Sequence, residues 1–263
     1  MVEYINLINQ MNNNWTDFKE YIIKNRDEKI EKIIFENHFA KNFDEVIRSV
    51  SLDLEVVSRN IGPYYRGCGI NEDIELTNFD RMIPKPEYVM EHNRMNPPNV
   101  AYIYLAANTN GKANQISTIE SELRVKEGEF YTLCRFYSEE NLKIIDITGD
   151  DSIPMHSEDF GNYMIAKIAK NKDMEVQKVV QKILANLNFN LFNNEEIFKP
   201  ISREIDDISY EYAPFQFIAR YFKELNYDGI LYNSTVYKEG KNLVIFEPRK
   251  LEIDETSMKR ITL

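Results

Sequence analysis

Glycine and proline are unevenly distributed along this chain, which limits how it can fold. All nine glycines and all nine prolines lie at position 62 or beyond. Before that point, apolar residues recur every three or four positions, which is typical of amphipathic helices. We therefore expect a small α-helical domain over residues 1–60 and a second domain over residues 61–263, with helix continuing over residues 46–57. The predicted apolar helix positions are Ile5, Ile8, Trp15, Phe18, Tyr21, Ile22, Ile30, Ile33, Ile34 and Phe39.

The second part of the chain mixes strand and helix patterns. The run VAYIYLA at residues 100–106 is nearly all apolar or aromatic, as expected of a buried strand. Four prolines between residues 80 and 98 predict a loop. The mixture predicts an α+β domain behind the helical one. Further strands are expected at 64–68, 129–136, 143–147, 230–232 and 243–246, and helices at 115–125, at 174–191 and from Pro214 onward.

Charge and cysteine content exclude several classes of protein. The chain has 32 Lys and Arg against 43 Asp and Glu, a net charge of −11. Such an acidic chain is not expected to bind nucleic acid or anionic membranes non-specifically. No run of about 18 apolar residues and no secretory signal is visible. Two cysteines fit a reducing compartment, so we expect a cytoplasmic protein.

Several common catalytic motifs are absent. Gly67-Cys68-Gly69 is not continued to the third glycine of a dinucleotide fingerprint, and no phosphate-binding loop occurs. The three histidines do not have metal-ligand spacing, so no metal site is expected. What remains is a site built from Arg, Tyr, Glu and Ser. The histidines are His38, His92 and His156.

Four segments stand out by their order. The first is Tyr65-Arg66-Gly67, and the second is Asn93-Arg94-Met95-Asn96-Pro97 followed by Tyr104 in the sequence IYLA. The third, Thr118–Arg124, contains Glu120 and Glu122, and the fourth runs from Asp228 to Ser234, followed by Asn242–Phe246. Taken singly, each residue has an ordinary explanation, since a glutamate on a helix is usually a solvated surface residue and a tyrosine in a buried strand usually belongs to the core.

Together the four segments resemble the RES-domain family, which is named for an Arg, a Glu and a Ser. The family pattern is YR, then GRxNP and YLA, then AxxExR, then DGIxYxS and GxNLVxF. The resemblance spans about residues 64–246 and implies a fold like that of ADP-ribosyltransferases. It also implies cleavage of NAD⁺ at the nicotinamide–ribose bond by a toxin of a RES–Xre toxin–antitoxin pair or by an antiphage defence effector.

The resemblance assigns roles to individual residues. Arg66, Glu122 and Ser234 match the three residues in the family name, and Arg94, Tyr104 and Asn242 match other site positions. In such a site, a carboxylate would stabilise the oxocarbenium-like ribose, and arginines would hold the diphosphate. Tyr104 and Tyr65 could stack on nicotinamide or adenine. NAD⁺ is then the substrate, and no metal is needed.

The sequence leaves several points open. Asn93 replaces the glycine that usually precedes the second arginine, and Glu120 is a rival of Glu122 because residues two apart on a helix face different directions. The acceptor could be water, phosphate or a macromolecule, the last making the chain an ADP-ribosyltransferase. A catalytically inert protein-binding module is the alternative from another class. The N-terminal helices could complete the core, form a homo-oligomer contact, or receive an antitoxin or a regulatory protein.

Overall fold

The computed structural model describes residues 14–109, 111–149, 153, 157–171, 175–193 and 208–263. The α+β architecture predicted from the sequence is confirmed. Ile5, Ile8 and His156 lie outside the described residues. The helices are α1 (14–24), α2 (Ile30–Glu36), α3 (His38–Val50), α4 (Lys112–Leu123), α5 (Ser157–Lys170), α6 (Val176–Asn193) and α7 (Ile208–Glu224). The strands are β1 (Glu55–Val57), β2 (Tyr64–Cys68), β3 (Ile103–Ala106), β4 (Phe130–Tyr137), β5 (Lys143–Asp146), β6 (Gly229–Asn233), β7 (Lys241–Ile245) and β8 (Glu252–Thr262).

Aromatic packing holds the N-terminal helices together. The ring of Phe39 on α3 lies 4.9 Å from that of Phe18 and 5.3 Å from that of Trp15, both on α1. Between α2 and α3, the Asn37 side chain accepts a hydrogen bond from the Ala40 amide at 3.0 Å and so caps α3. The apolar periodicity read from the sequence therefore corresponds to a packed helical face.

The eight strands within the described ranges form one sheet in the order β1-β5-β6-β7-β3-β2-β4-β8. The β5–β6 pair is parallel, and every other neighbouring pair is antiparallel. One face of the sheet carries the larger apolar core, which includes Ile103, Leu231, Leu243 and Ile245. Strand alternation then turns Tyr104 and Asn242 toward the opposite face.

Helix α4 packs on that opposite face, against β2 and β4. Its Ile119 lies in a small apolar cluster with Tyr65 of β2 and Leu133 of β4. Gly67 allows the close approach, because a Cβ there would lie 2.9 Å from Leu123 Cδ1 and closer still to Ile119. The glycine after Arg66 therefore sets the distance between β2 and the helix that carries Glu122.

Contacts among the described residues group into two compact units. One contains residues up to Leu54 and those between Ile147 and Phe217, and the other contains Glu55–Asp146 and Ile218–Leu263. The sheet lies entirely in the second unit. This grouping differs from the sequence-based division, and domains 1–60 and 61–263 stay a prediction.

Several elements differ from those expected. The helix predicted to begin at Pro214 begins at Ile208, so that proline lies inside it. Helix α3 ends at Val50, and residues 55–57 form edge strand β1 instead of continuing a helix. Strand β8 and helix α5 were not predicted at all. Predicted helix 115–125 begins three residues earlier and ends two residues earlier.

Gly229 lies in the middle of the sheet, where its lack of a side chain can be tested by mutation. It starts β6 and pairs with both β5 and β7. A Cβ there would collide with the Val244 carbonyl oxygen, which belongs to the backbone of β7 and cannot rotate away. We expect Gly229→Ala to lower the free energy of unfolding by about 3 kcal/mol. Gly161→Ala on α5, where a Cβ meets nothing within 4 Å, should not lower it. Urea unfolding midpoints check this, and equal midpoints for Gly229→Ala and the wild type would contradict it.

Candidate active site

Strands β2 and β3 pair at one position and then diverge. Tyr65 lies opposite Ala106, whereas each strand pairs with its other neighbour along its whole length. Residues of both diverging strands line a cavity of about 350 Å³, which we call the fork cavity. Its lining also includes residues from α4, β6 and β7, so it brings five of the predicted site residues together. These are Tyr65, Arg66, Tyr104, Glu122 and Asn242.

The Glu122 carboxylate in the fork cavity is held by two donors. Its Oε1 accepts hydrogen bonds from Ser234 Oγ at 2.8 Å and from Asn242 Nδ2 at 2.5 Å. The Ser234 hydroxyl in turn accepts from the amides of Val236 and Tyr237 at 3.3 and 3.2 Å. Because those amides occupy its lone pairs, the hydroxyl proton points at Glu122. No hydrogen bond from a described residue reaches Glu122 Oε2, which leaves that oxygen available to a ligand.

The loop between β6 and β7 is seated on α4 through residues spaced four apart. Tyr237 donates to Asn114 Oδ1 at 3.2 Å. Gly240 approaches Thr118 so closely that a Cβ would lie 2.5 Å from Thr118 Oγ1. Residues four apart share one face of a helix, so Asn114, Thr118 and Glu122 form a stripe facing this loop. Sequence reasoning missed the first two, although their spacing from Glu122 was readable.

Glu120 takes part in a different contact. It accepts a hydrogen bond at 3.2 Å from the hydroxyl of Tyr131, a fully buried residue of β4. Burial first, and then the Glu120 charge, raise the pKa of Tyr131 above its ordinary value. Of the two carboxylates left open by the sequence, Glu122 is therefore the one that lies with Ser234 and Asn242.

The positively charged side chain of Arg66 is partly buried, and no described carboxylate neutralises it. Its Nε is fully buried and has no hydrogen-bond partner among the described residues. Burial lowers the pKa of its guanidinium, and interactions with Cys68 and Tyr104 offset part of that shift. A desolvated cation without a partner is unfavourable in a folded protein. An anionic ligand at this position would remove that penalty.

The Tyr104 hydroxyl is already engaged by protein groups. It donates to Asn96 Oδ1 at 2.7 Å and accepts from the Met95 amide at 3.0 Å. The Asn96 side chain is 1% exposed and donates to the Val100 carbonyl at 2.6 Å, so it is fixed at both ends. Burial raises the pKa of Tyr104 well above its ordinary value. The ring, not the hydroxyl, is thus what Tyr104 offers to a ligand.

Tyr65 and Arg94, the other residues predicted to bind the substrate, are less directly involved in the fork cavity. Tyr65 is buried among apolar residues with Lys112 Nζ 5.5 Å from its ring centre, although it also borders the fork cavity. Burial raises the pKa of Tyr104, and the positive charge of Arg94 opposes part of that rise. Arg94 does not line the fork cavity. Its neighbour Asn93 does line it, and its backbone is not in the left-handed region that would have favoured glycine.

A second cavity of about 690 Å³ shares Arg66, Asn93 and Tyr104 with the fork cavity. It is lined mainly by residues 78–93, which the sequence predicted only as loop. Both volumes fall in the range of small-molecule sites or close to it. The shared residues place Arg66 at the junction of the two cavities.

A family model described as the RES domain matches residues 172–261. The match covers less than half of the chain and includes Ser234 and Asn242. It confirms the resemblance to the RES-domain family. The sites at Arg66, Arg94, Tyr104 and Glu122 lie outside the matched stretch.

No curated protein matches the chain in sequence. Among solved structures, the M. tuberculosis MbcT-MbcA toxin-antitoxin complex contains a similar chain with 18% sequence identity and a TM-score of 0.35. The similarity covers 82% of this chain and 92% of that one.

Two further observations concern the described residues alone. No group of three or more His, Cys, Asp and Glu side chains within them is arranged to hold a metal ion. None of the helices in these ranges combines the length and apolar character needed to cross a membrane.

Proposed function

We propose that the chain is an NAD⁺-consuming enzyme that cleaves the nicotinamide–ribose bond. One observation carries the proposal: a carboxylate fixed by two donors lies in the same cavity as a partly buried arginine that no described carboxylate neutralises. A dinucleotide with a positively charged nicotinamide ribose and an anionic diphosphate complements both charges.

Glu122 would act on the ribose. Nicotinamide leaves as a neutral molecule, so it needs no proton, and positive charge develops on the ribose as the bond breaks. A carboxylate beside the ring stabilises that charge and can accept a hydrogen bond from a ribose hydroxyl. Since Ser234 and Asn242 both donate to Oε1, they fix the direction of Oε2, which is the oxygen assigned to the ribose. Ser234 and Asn242 thus hold the carboxylate in place.

Arg66 would bind the diphosphate. Its planar guanidinium can donate two parallel hydrogen bonds to phosphate oxygens, and the phosphate charge would compensate the buried cation. The chain has a net charge of −11, and Arg66 would provide the local positive charge that an anionic substrate needs. Arg94 would add positive charge near Tyr104, and the rings of Tyr104 and Tyr65 would border the nicotinamide end.

The RES-domain match supports a biological role as the toxin of a toxin–antitoxin pair. We propose a cognate antitoxin as the partner and NAD⁺ depletion with growth arrest as the effect, in the cytoplasm. We also propose that the chain forms a homo-oligomer and that it acts in antiphage defence.

The full chain incubated with NAD⁺ should release nicotinamide, measured by chromatography. Free ADP-ribose identifies water as the acceptor, and ADP-ribose 1″-phosphate, formed only in phosphate buffer, identifies phosphate. Label from NAD⁺ that remains on a macromolecule identifies an ADP-ribosyltransferase. Tight binding of a partner protein without any nicotinamide release would contradict the proposal and favour an inert binding module.

A further inference from the structure

The second cavity differs from the fork cavity in its charges. Arg81 is paired with Glu72 at 2.6 Å, and Lys85 is paired with Asp80 at 3.0 Å. The other cations that line this cavity are therefore paired with carboxylates, whereas Arg66 at the junction is not. A ligand in this cavity should be anionic at the junction and uncharged farther out.

Most residues that line the second cavity are polar or charged, but two with large apolar surfaces lie open to solvent there. Tyr88 is 73% exposed and Met90 is 76% exposed, and both line the cavity. Together these two side chains present apolar surface to solvent beside the cavity. An exposed tyrosine ring beside a cavity is a suitable surface for a planar heterocycle.

The backbone that presents these two side chains is fixed. The Val89 carbonyl accepts a hydrogen bond from the Asn99 amide at 2.9 Å, and Asn93 N donates to the Asn96 carbonyl at 2.9 Å. Tyr88 itself donates from its amide to the Lys85 carbonyl at 3.0 Å, which closes a short turn. Hydrogen bonds on either side of Tyr88 thus fix the backbone from which its ring reaches the cavity.

We infer that the second cavity is the nucleoside subsite of the enzyme, where the adenine base of the substrate stacks on Tyr88. This inference rests on the proposed function. The reacting ribose lies beside Glu122, the diphosphate passes Arg66 at the junction, and the adenosine half occupies the second cavity. The subsite therefore makes the enzyme select dinucleotides over the shorter nicotinamide mononucleotide.

Turnover of two substrates tests the subsite. Tyr88→Ala should lower kcat/KM for NAD⁺ about 10-fold to 100-fold, because stacking on an aromatic side chain contributes on that scale. It should leave kcat/KM for nicotinamide mononucleotide at the wild-type value. Tyr88→Phe should retain NAD⁺ turnover. Tyr137 of β4 is 42% exposed, and Tyr137→Ala should leave kcat/KM unchanged for both substrates. Equal losses for both substrates, or undiminished NAD⁺ turnover, would overturn the inference.

Binding of AMP separates this inference from the proposed function, because AMP lacks the bond to be cleaved. Calorimetry should show AMP binding to the wild-type chain and at least 10-fold weaker binding to Tyr88→Ala. If no nicotinamide is released from NAD⁺ but AMP binds in this manner, the proposed reaction fails and the subsite stands. If the wild-type chain turns over NAD⁺ but does not bind AMP, the subsite is wrong and the reaction stands.

Discussion

Replacing Glu122 with glutamine should lower kcat for nicotinamide release from NAD⁺ by roughly 1000-fold or more and change KM little. Glutamine has the shape of glutamate, and its oxygen can still accept from Ser234 and Asn242. It lacks the negative charge that stabilises the developing oxocarbenium ion, so the loss belongs to the transition state. Steady-state kinetics with a nicotinamide assay measures both constants.

Glu120→Gln is the matched control, since it makes the same change two residues away on α4. Glu120 contacts Tyr131 on β4 and does not line either cavity. We expect Glu120→Gln to retain turnover within about threefold of the wild type. Loss of activity in Glu120→Gln with full activity in Glu122→Gln would reverse the assignment. Similar urea midpoints for the two variants would exclude unfolding as the cause.

Local patterns were sufficient to predict the strands and the helix that carry the site. The apolar run before Ala107 and the segment Tyr64–Cys68 became β3 and β2. Ile116, Ile119 and Leu123, spaced three and four apart, became the buried side of α4. In each case burial on one face agrees with the periodicity of the sequence, so the pattern was informative.

Other elements depend on contacts that have no local signature. Strand β8 has the sequence EIDETSMKRIT, whose charged residues conceal any alternation. It forms because β4 offers a partner, and the pairing shifts register between Leu133 and Arg135. Helix α7 runs through Pro214 because burial of Ala213, Phe215 and Phe217 outweighs the hydrogen bond lost at proline.

The motif order could suggest residue types for the candidate site but not their geometry, and the assignment of these residues to a site stays a prediction. The motif order indicated Glu122, Ser234 and Asn242, which the structure brings together. The divergence of β2 from β3, and with it the fork cavity, follows from strand register across residues that are about forty positions apart. The engaged hydroxyl of Tyr104 could not be predicted either, since it depends on where Asn96 packs.

Arg66→Met should have opposite effects on stability and on activity. The charged form of Arg66 is disfavoured by folding, because burial lowers its pKa relative to the unfolded chain. Arginine stays protonated at all ordinary pH values, so the penalty applies near neutral pH. Methionine fills similar space without a charge, so the free energy of unfolding should rise by about 1–3 kcal/mol. The same change removes the phosphate contact, and kcat/KM for NAD⁺ should fall about 100-fold.

Arg135→Met is the control for the stability effect, because Arg135 is paired with Asp254 and its side chain is 43% exposed. Losing that pair should leave the free energy of unfolding unchanged or lower it by up to about 1 kcal/mol.

Urea unfolding of Arg66→Met and Arg135→Met, with and without AMP, measures the comparison. AMP should stabilise the wild type and should stabilise Arg66→Met much less, since a ligand stabilises only the state it binds. If Arg66→Met is both less stable and less active than the wild type, Arg66 is a structural residue with a compensated charge, and the assignment of the diphosphate to it is wrong.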